Sequence, residues 1–198
     1  MKTGIIITVL GVVLILGGIF YFSSGALPKG SLESVVSTEA PWPAETEHLR
    51  DRLVAINLPA LAAEGQALHI HQHLDIYVHG VLVQVPSEIG IHTAAPAFIS
   101  PIHVHDTSNI VHVESPIVKE FTLGEFFNIW GVRLSPTCIG GYCTDATSTM
   151  NVYVNGVRYE GDPTALKLES HQEIVITYGT DAELPKPIPS SFTFPEGY

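Results

Sequence analysis

Apolar residues recur along this chain first without a break, then at every third or fourth position, then at every second. Each change of period marks an element. From Thr3 to Phe22 no residue is charged. That run of about 20 residues is the length a helix needs to cross roughly 30 Å of hydrocarbon. The pattern predicts a transmembrane anchor over 4–22 behind a short stub, 1–3. A cleaved signal peptide is the rival, with small residues at Ser24-Gly25-Ala26, but the run exceeds the roughly 7–15 residues of a signal core. Lys2 precedes the span and only Lys29 follows closely, so the positive-inside bias predicts a cytoplasmic stub with everything else extracytoplasmic.

Residues 23–43 are small and polar with three prolines and read as a linker; residues 183–198 carry four prolines and read as a tail that lies on the domain or hangs free. The span between them, 44–182, is one domain's worth of chain. It opens with helical spacing, Leu49, Leu53 and Ile56 on one face, ended by Asn57 and Pro59. The period then drops to two. Leu68, Ile70, Gln72, Leu74, Ile76 and Val78 alternate with His69, His71, His73, Asp75 and Tyr77, which predicts a strand with one core face and one imidazole face. His79-Gly80 before Val81-Leu82-Val83 has hairpin spacing, and Asn155-Gly156 repeats it inside Val152–Val157. His79 is therefore read as a turn residue.

A third hairpin follows from parity. With an even loop between Ile102–Asp106 and Asn109–Glu114, the residues Ile102, Val104, Val111 and Val113 share the core face; His103, His105, His112 and Glu114 share the other. Thr122 and Glu125 form a capping box for a helix lined by Leu123, Phe127 and Trp130 and ended by Gly131. Glu173–Tyr178 is a last strand, central or buried on both sides. The expected fold class is α+β: mainly antiparallel sheet built of several hairpins and one packed helix. A hairpin, a helix and later strands ending in Leu168-Glu169-Ser170-His171-Gln172-Glu173-Ile174 resemble β-grasp domains, which implies a β-grasp-like arrangement.

Charge narrows the partners. Nine Lys or Arg stand against twenty Asp or Glu, a net charge of −11, which disfavours nucleic acid and anionic lipid and favours cations. Cys138 and Cys143 flank Gly140-Gly141. In an oxidising compartment they are expected to form a small-loop disulfide, with a thiolate pair as the alternative. No G-x-S-x-G, Walker A or G-x-G-x-x-G pattern occurs.

The histidines carry the candidate chemistry. Taken singly, each is a polar residue on a solvated strand. Taken together, three H-x-H or H-x-E patterns fall on the same parity, and strand residues two apart point the same way about 6.6 Å apart, so their imidazoles can converge on one ion. The candidate ligands are His71, His73, His103, His105 and His112, with His69, Glu114 and Asp106 as outer ligands or partners that orient the rings. Imidazole with carboxylate suits Zn, Cu(II), Ni or Fe(II); with Met150 alone beyond the initiator, a thioether Cu(I) site is disfavoured, leaving copper or zinc.

The segments HIHQHLDIYVHG, PIHVHDTSNIVHVESP, FTLGEFFNIWGV and GVRYEGDP resemble a group of secreted or membrane-anchored prokaryotic proteins that is uncharacterised. The likeness spans roughly residues 49–179. It implies an exported domain that occurs as a unit, and it brings no activity with it. Three functions stay open: a metal-binding module for sequestration, sensing or delivery; a metalloenzyme with an open His-ligated position; and a structural or partner-docking domain whose histidines are incidental.

Overall fold

A computed structural model describes residues 38–198. The stub, the expected anchor and most of the linker lie outside the described residues. Among the described residues no helix is long and apolar enough to cross a membrane.

The domain is α+β, its main sheet mostly antiparallel. Its axis is β1 (Leu68–Val78), whose alternation puts Leu74 and Ile76 fully in the core. β1 turns into β2 (Val81–Val83) through two residues with positive φ, His79 at 48° and Gly80 at 76°. That pair of angles matches the twist of the flanking strands. Asn155 at 51° and Gly156 at 78° do the same between β9 (Thr149–Val154) and β10 (Val157–Arg158). Short ribbons at β3 (Ile91–His92) with β4 (Phe98–Ile99), and at β7 (Cys138–Ile139) with β8 (Tyr142–Cys143), add to the three expected hairpins. Cys138 and Cys143 face each other across the second ribbon and are joined as a disulfide.

The one parallel pairing among the described residues unites distant parts of the chain. β11 (Glu173–Gly179) runs beside β1, with His73 opposite Glu173 and Asp75 opposite Val175. β9 then pairs with the far edge of β11. On the other edge of β1, β2 occupies the C-terminal half and β6 (Ile110–Ser115) the N-terminal half. The backbone bonds separate the two edges: the His171 amide donates to the His71 carbonyl on the β11 side, and the Leu74 amide to the Asn109 carbonyl on the β6 side. β5 (Ile102–His103) closes the sheet beyond β6 in the odd-sum register expected from parity, Ile102 opposite Val113 and His103 opposite His112.

The apolar face is covered by α2 (Leu123–Trp130), held at its start by the reciprocal Thr122–Glu125 box. Phe126, Phe127, Ile129 and Trp130 are all buried there. α1 (Leu49–Ala55) is shorter than its periodicity suggests and starts late, with no side-chain cap at His48. It contributes Leu49 and Leu53 to the core and one buried charge, Arg52. The Arg52 guanidinium donates from Nε and Nη2 to the Ile129 carbonyl at 3.2 and 3.1 Å and also reaches Glu45. It thus satisfies a last-turn carbonyl of α2 that the helix cannot bond itself.

Both ends of the described chain lie on the domain. Trp42, within the expected linker, is 1% exposed and packs edge-on against Trp130 and Tyr142. Ordered packing therefore begins before residue 44. The Pro-rich tail lies along the histidine face. Replacing Arg52 with Ala strands the Ile129 carbonyl in the core and should lower stability by about 2–3 kcal/mol. Urea unfolding monitored by tryptophan fluorescence tests this, and a loss under about 0.5 kcal/mol would contradict the capping role.

Candidate metal centre

Three adjacent strands bring the histidines together, and the kind of pairing sets how close they come. Along β1 the even residues point their backbone groups at β6, so the odd residues form the non-hydrogen-bonded pairs, whose side chains stand nearer. Those pairs are His69 with Glu114 and His71 with His112. The His71 and His112 rings sit 4.6 Å apart, centroid to centroid. Between β5 and β6 the opposed pair His103–His112 is of the wider, hydrogen-bonded kind, and those rings are 5.4 Å apart. His112 is thus flanked by imidazoles on both sides.

Glu114 anchors the cluster. Its Oε1 lies 3.1 Å from His112 Nδ1, 3.3 Å from His69 Nε2 and 4.0 Å from His103 Nε2. His69 Nε2 and His71 Nε2 are 3.1 Å apart, and so are His103 Nε2 and His105 Nε2. Two overlapping quartets result: His69, His71, His112 and Glu114; and His103, His105, His112 and Glu114, each with its ligand atoms within 4.8 Å of one another. Metal–nitrogen bonds of about 2.0–2.1 Å need donors about 3–4 Å apart around an ion, so each quartet is close to a coordination sphere.

Two candidate residues lie elsewhere. His73 faces the opposite edge of β1, where its Nδ1 meets Glu173 Oε2 at 2.8 Å; with Asp75 these form a separate trio. Asp106 belongs to neither quartet. It sits exposed in the β5–β6 loop, where its carboxylate accepts from the Ser108 amide and closes a local turn.

The histidine face is also not the solvated surface that alternation suggests. His71, His73, His103, His112 and Glu114 are between 0 and 7% exposed. At His71, His73 and His112 the tail supplies part of the cover. Phe192 stacks flat on His73 at 3.8 Å, and the Tyr198 ring lies 4.7 Å from His71 and 5.5 Å from His112. His69 and His105 alone keep substantial access, with side chains 46% and 38% exposed, and form the mouth of the site.

Periodicity could not reveal two contributors. Glu64 stands 3.4 Å from His105, on a loop pressed so close to the end of β6 that a Cβ at Gly65 would meet the Ser115 carbonyl carbon at 2.0 Å. Glu173 joins His73 through the parallel pairing alone, whereas Asp75, two residues along β1, shares its face by alternation. The only hint in the sequence is a charged residue at the head of a strand otherwise apolar.

Burial sets the protonation state. It pulls His71 down to about 4, with the neighbouring His69 adding to the effect. It pulls His103 and His112 down to about 3, helped by His105 and His103 respectively, and opposed at His103 by its bond to the Ser100 carbonyl. These imidazoles are neutral near pH 7, which is the ligating form. Glu114 is pushed the other way, up to about 7, first by burial and then by the Glu64 carboxylate. An arriving dication would displace that proton.

No protein-family model matches the chain, and no curated protein and no solved structure is detectably similar to it.

The depressed imidazoles make acid sensitivity a property of the metal-free fold. Unfolded histidine binds its proton near pH 6.5, whereas these three do so only at about 3 to 4. Between those values the unfolded chain holds more protons, so stability is lost as pH falls. Glu114 opposes this: its raised value gives stability that is present below its ordinary 4.5 and fades toward 7. Three groups outweigh one. The urea midpoint of the metal-free chain should fall between about pH 7 and about pH 4.5, and a midpoint that rises on acidification would contradict buried neutral imidazoles.

Proposed function

We propose that the domain binds a divalent transition metal, copper or zinc, between β1, β5 and β6. The observation that carries this reading is the convergence of five imidazoles and one carboxylate from β1, β6, β5 and the start of the loop after β5, most of them closed from water. Burying so many polar rings on one face costs free energy unless they are partnered, and a cation supplies the partner. The acidic balance of the chain, −11 overall, favours cations in its surroundings.

The setting is the outer face of a membrane. The uncharged run from Thr3 to Phe22 supports an N-in anchor, and the Cys138–Cys143 disulfide supports an oxidising, extracytoplasmic compartment. Sequestration, sensing or delivery of the metal fits a domain tethered there. The strand order β2-β1-β11-β9 with a parallel central pair and α2 across it supports the β-grasp-like arrangement as the finer description of the fold.

An enzymatic reading rests on a different observation, the partial exposure of His69 and His105. A ligand at the mouth leaves room for water or substrate on the metal, the condition for Lewis-acid chemistry. Spectra of a Co(II)-substituted chain separate the two: complete protein ligation favours storage or transfer, and a coordinated water favours catalysis.

The purified full-length chain should carry stoichiometric copper or zinc, or take it up, and gain thermal stability from it. The double variant His71→Ala, His105→Ala removes one ring from each side of His112. It should bind at least about tenfold more weakly, the low end of what losing even an outer partner costs. A chain that contains no metal and gains no stability from added zinc or copper would leave only a structural or docking domain.

A further inference from the structure

The cluster holds more donors than one ion uses. A tetrahedral zinc takes four protein ligands at most, and a catalytic one three; five imidazoles and a carboxylate gather here. They do not form one sphere of six. They divide into a β1 side, His69 and His71, and a β5 side, His103 and His105, with each pair of Nε2 atoms 3.1 Å apart. Only His112 and Glu114, on the strand between, belong to both quartets.

Glu114 adds an independent observation. Its Oε1 gathers the neighbouring nitrogens, whereas its Oε2 is buried with no nitrogen donor, and the Glu64 carboxylate is the group within hydrogen-bond reach of Glu114. An orphaned carboxylate oxygen at the centre of a ligand cluster calls for a cation, since a buried acceptor left unmade is costly. A carboxylate can bridge two metal ions, and Glu114 Oε1 lies 3.3 Å from His69 on the β1 side and 4.0 Å from His103 on the β5 side.

Resting on the metal-binding reading above, we propose that this is a two-ion centre in which Glu114 bridges a β1-side ion held by His69 and His71 to a β5-side ion held by His103 and His105. His112 completes the ligation between them. The class of ligand is a pair of divalent borderline cations, Zn(II) or Cu(II). Glu64, beside His105, supplies further negative charge on the β5 side. Two dications so close repel strongly, and the shared carboxylate together with Glu64 lessens that cost. His69 and His105, the two exposed ligands, then belong to different ions, so each ion has its own opening to solvent. Each ion can exchange, or take an outside ligand, without the other leaving.

Zinc and copper(II) titrations of the metal-stripped full-length chain, read by calorimetry and elemental analysis, test the stoichiometry. Wild type should bind two equivalents. Glu114→Gln keeps the shape, loses the bridge and should bind one. His103→Ala with His105→Ala should also bind one, whereas His73→Ala, in the neighbouring trio, should still bind two. With copper(II) the wild-type spin signal should integrate to fewer than two spins per chain because bridged ions couple, and circular dichroism checks that each variant is folded. One equivalent in wild type overturns the two-ion centre and leaves the metal-binding reading intact; none overturns both. Two equivalents retained in Glu114→Gln, or one lost in His73→Ala, overturns the assignment of the bridge and places the second ion elsewhere.

Discussion

The structure depends on the register of β1 against β6. Because the odd residues of β1 form the close, non-hydrogen-bonded pairs with β6, the imidazoles of His71 and His112 come within van der Waals reach and His69 comes against Glu114. A slip by one residue would send every imidazole into the apolar core and every aliphatic side chain out. Burial of Leu74, Ile76, Val111 and Val113 beneath α2 makes that slip prohibitively costly. The hydrophobic effect on one face of the sheet thus fixes the ligand geometry on the other.

Most of this could be read from the sequence because it is local. The two-residue turns at His79-Gly80 and Asn155-Gly156, the capping box of α2 and the parity of Ile102 to Glu114 all depend on neighbours a few positions apart. What escaped is what long-range pairing creates. The parallel union of β1 with β11 draws His73 away to Glu173, and no periodicity reports on a partner a hundred residues downstream. Asp106 has the right spacing for a ligand but spends its carboxylate on its own turn.

Alternation also gives which residues share a face, but not what lies on top of it. Three of the buried polar positions that read as solvated, His71, His73 and His112, lie against Phe192 and Tyr198, aromatic rings in a Pro-rich segment with no period of its own. Burial changes the chemistry. It turns surface histidines that would titrate near pH 6.5 into neutral, desolvated donors, and it raises Glu114 until carboxylate and acid are balanced near neutrality. A desolvated nest of neutral rings around a poorly partnered carboxylate is an environment in which a cation is worth more than it would be in water.

The central claim is that these imidazoles, brought together by strand register, are the metal's own ligands. X-ray absorption of the zinc-loaded full-length chain measures this directly. The account predicts a first shell of nitrogen and oxygen at about 2.0–2.1 Å, with the outer-shell scattering that imidazole rings produce. A shell containing sulfur, or one of oxygen alone without imidazole scattering, would contradict it.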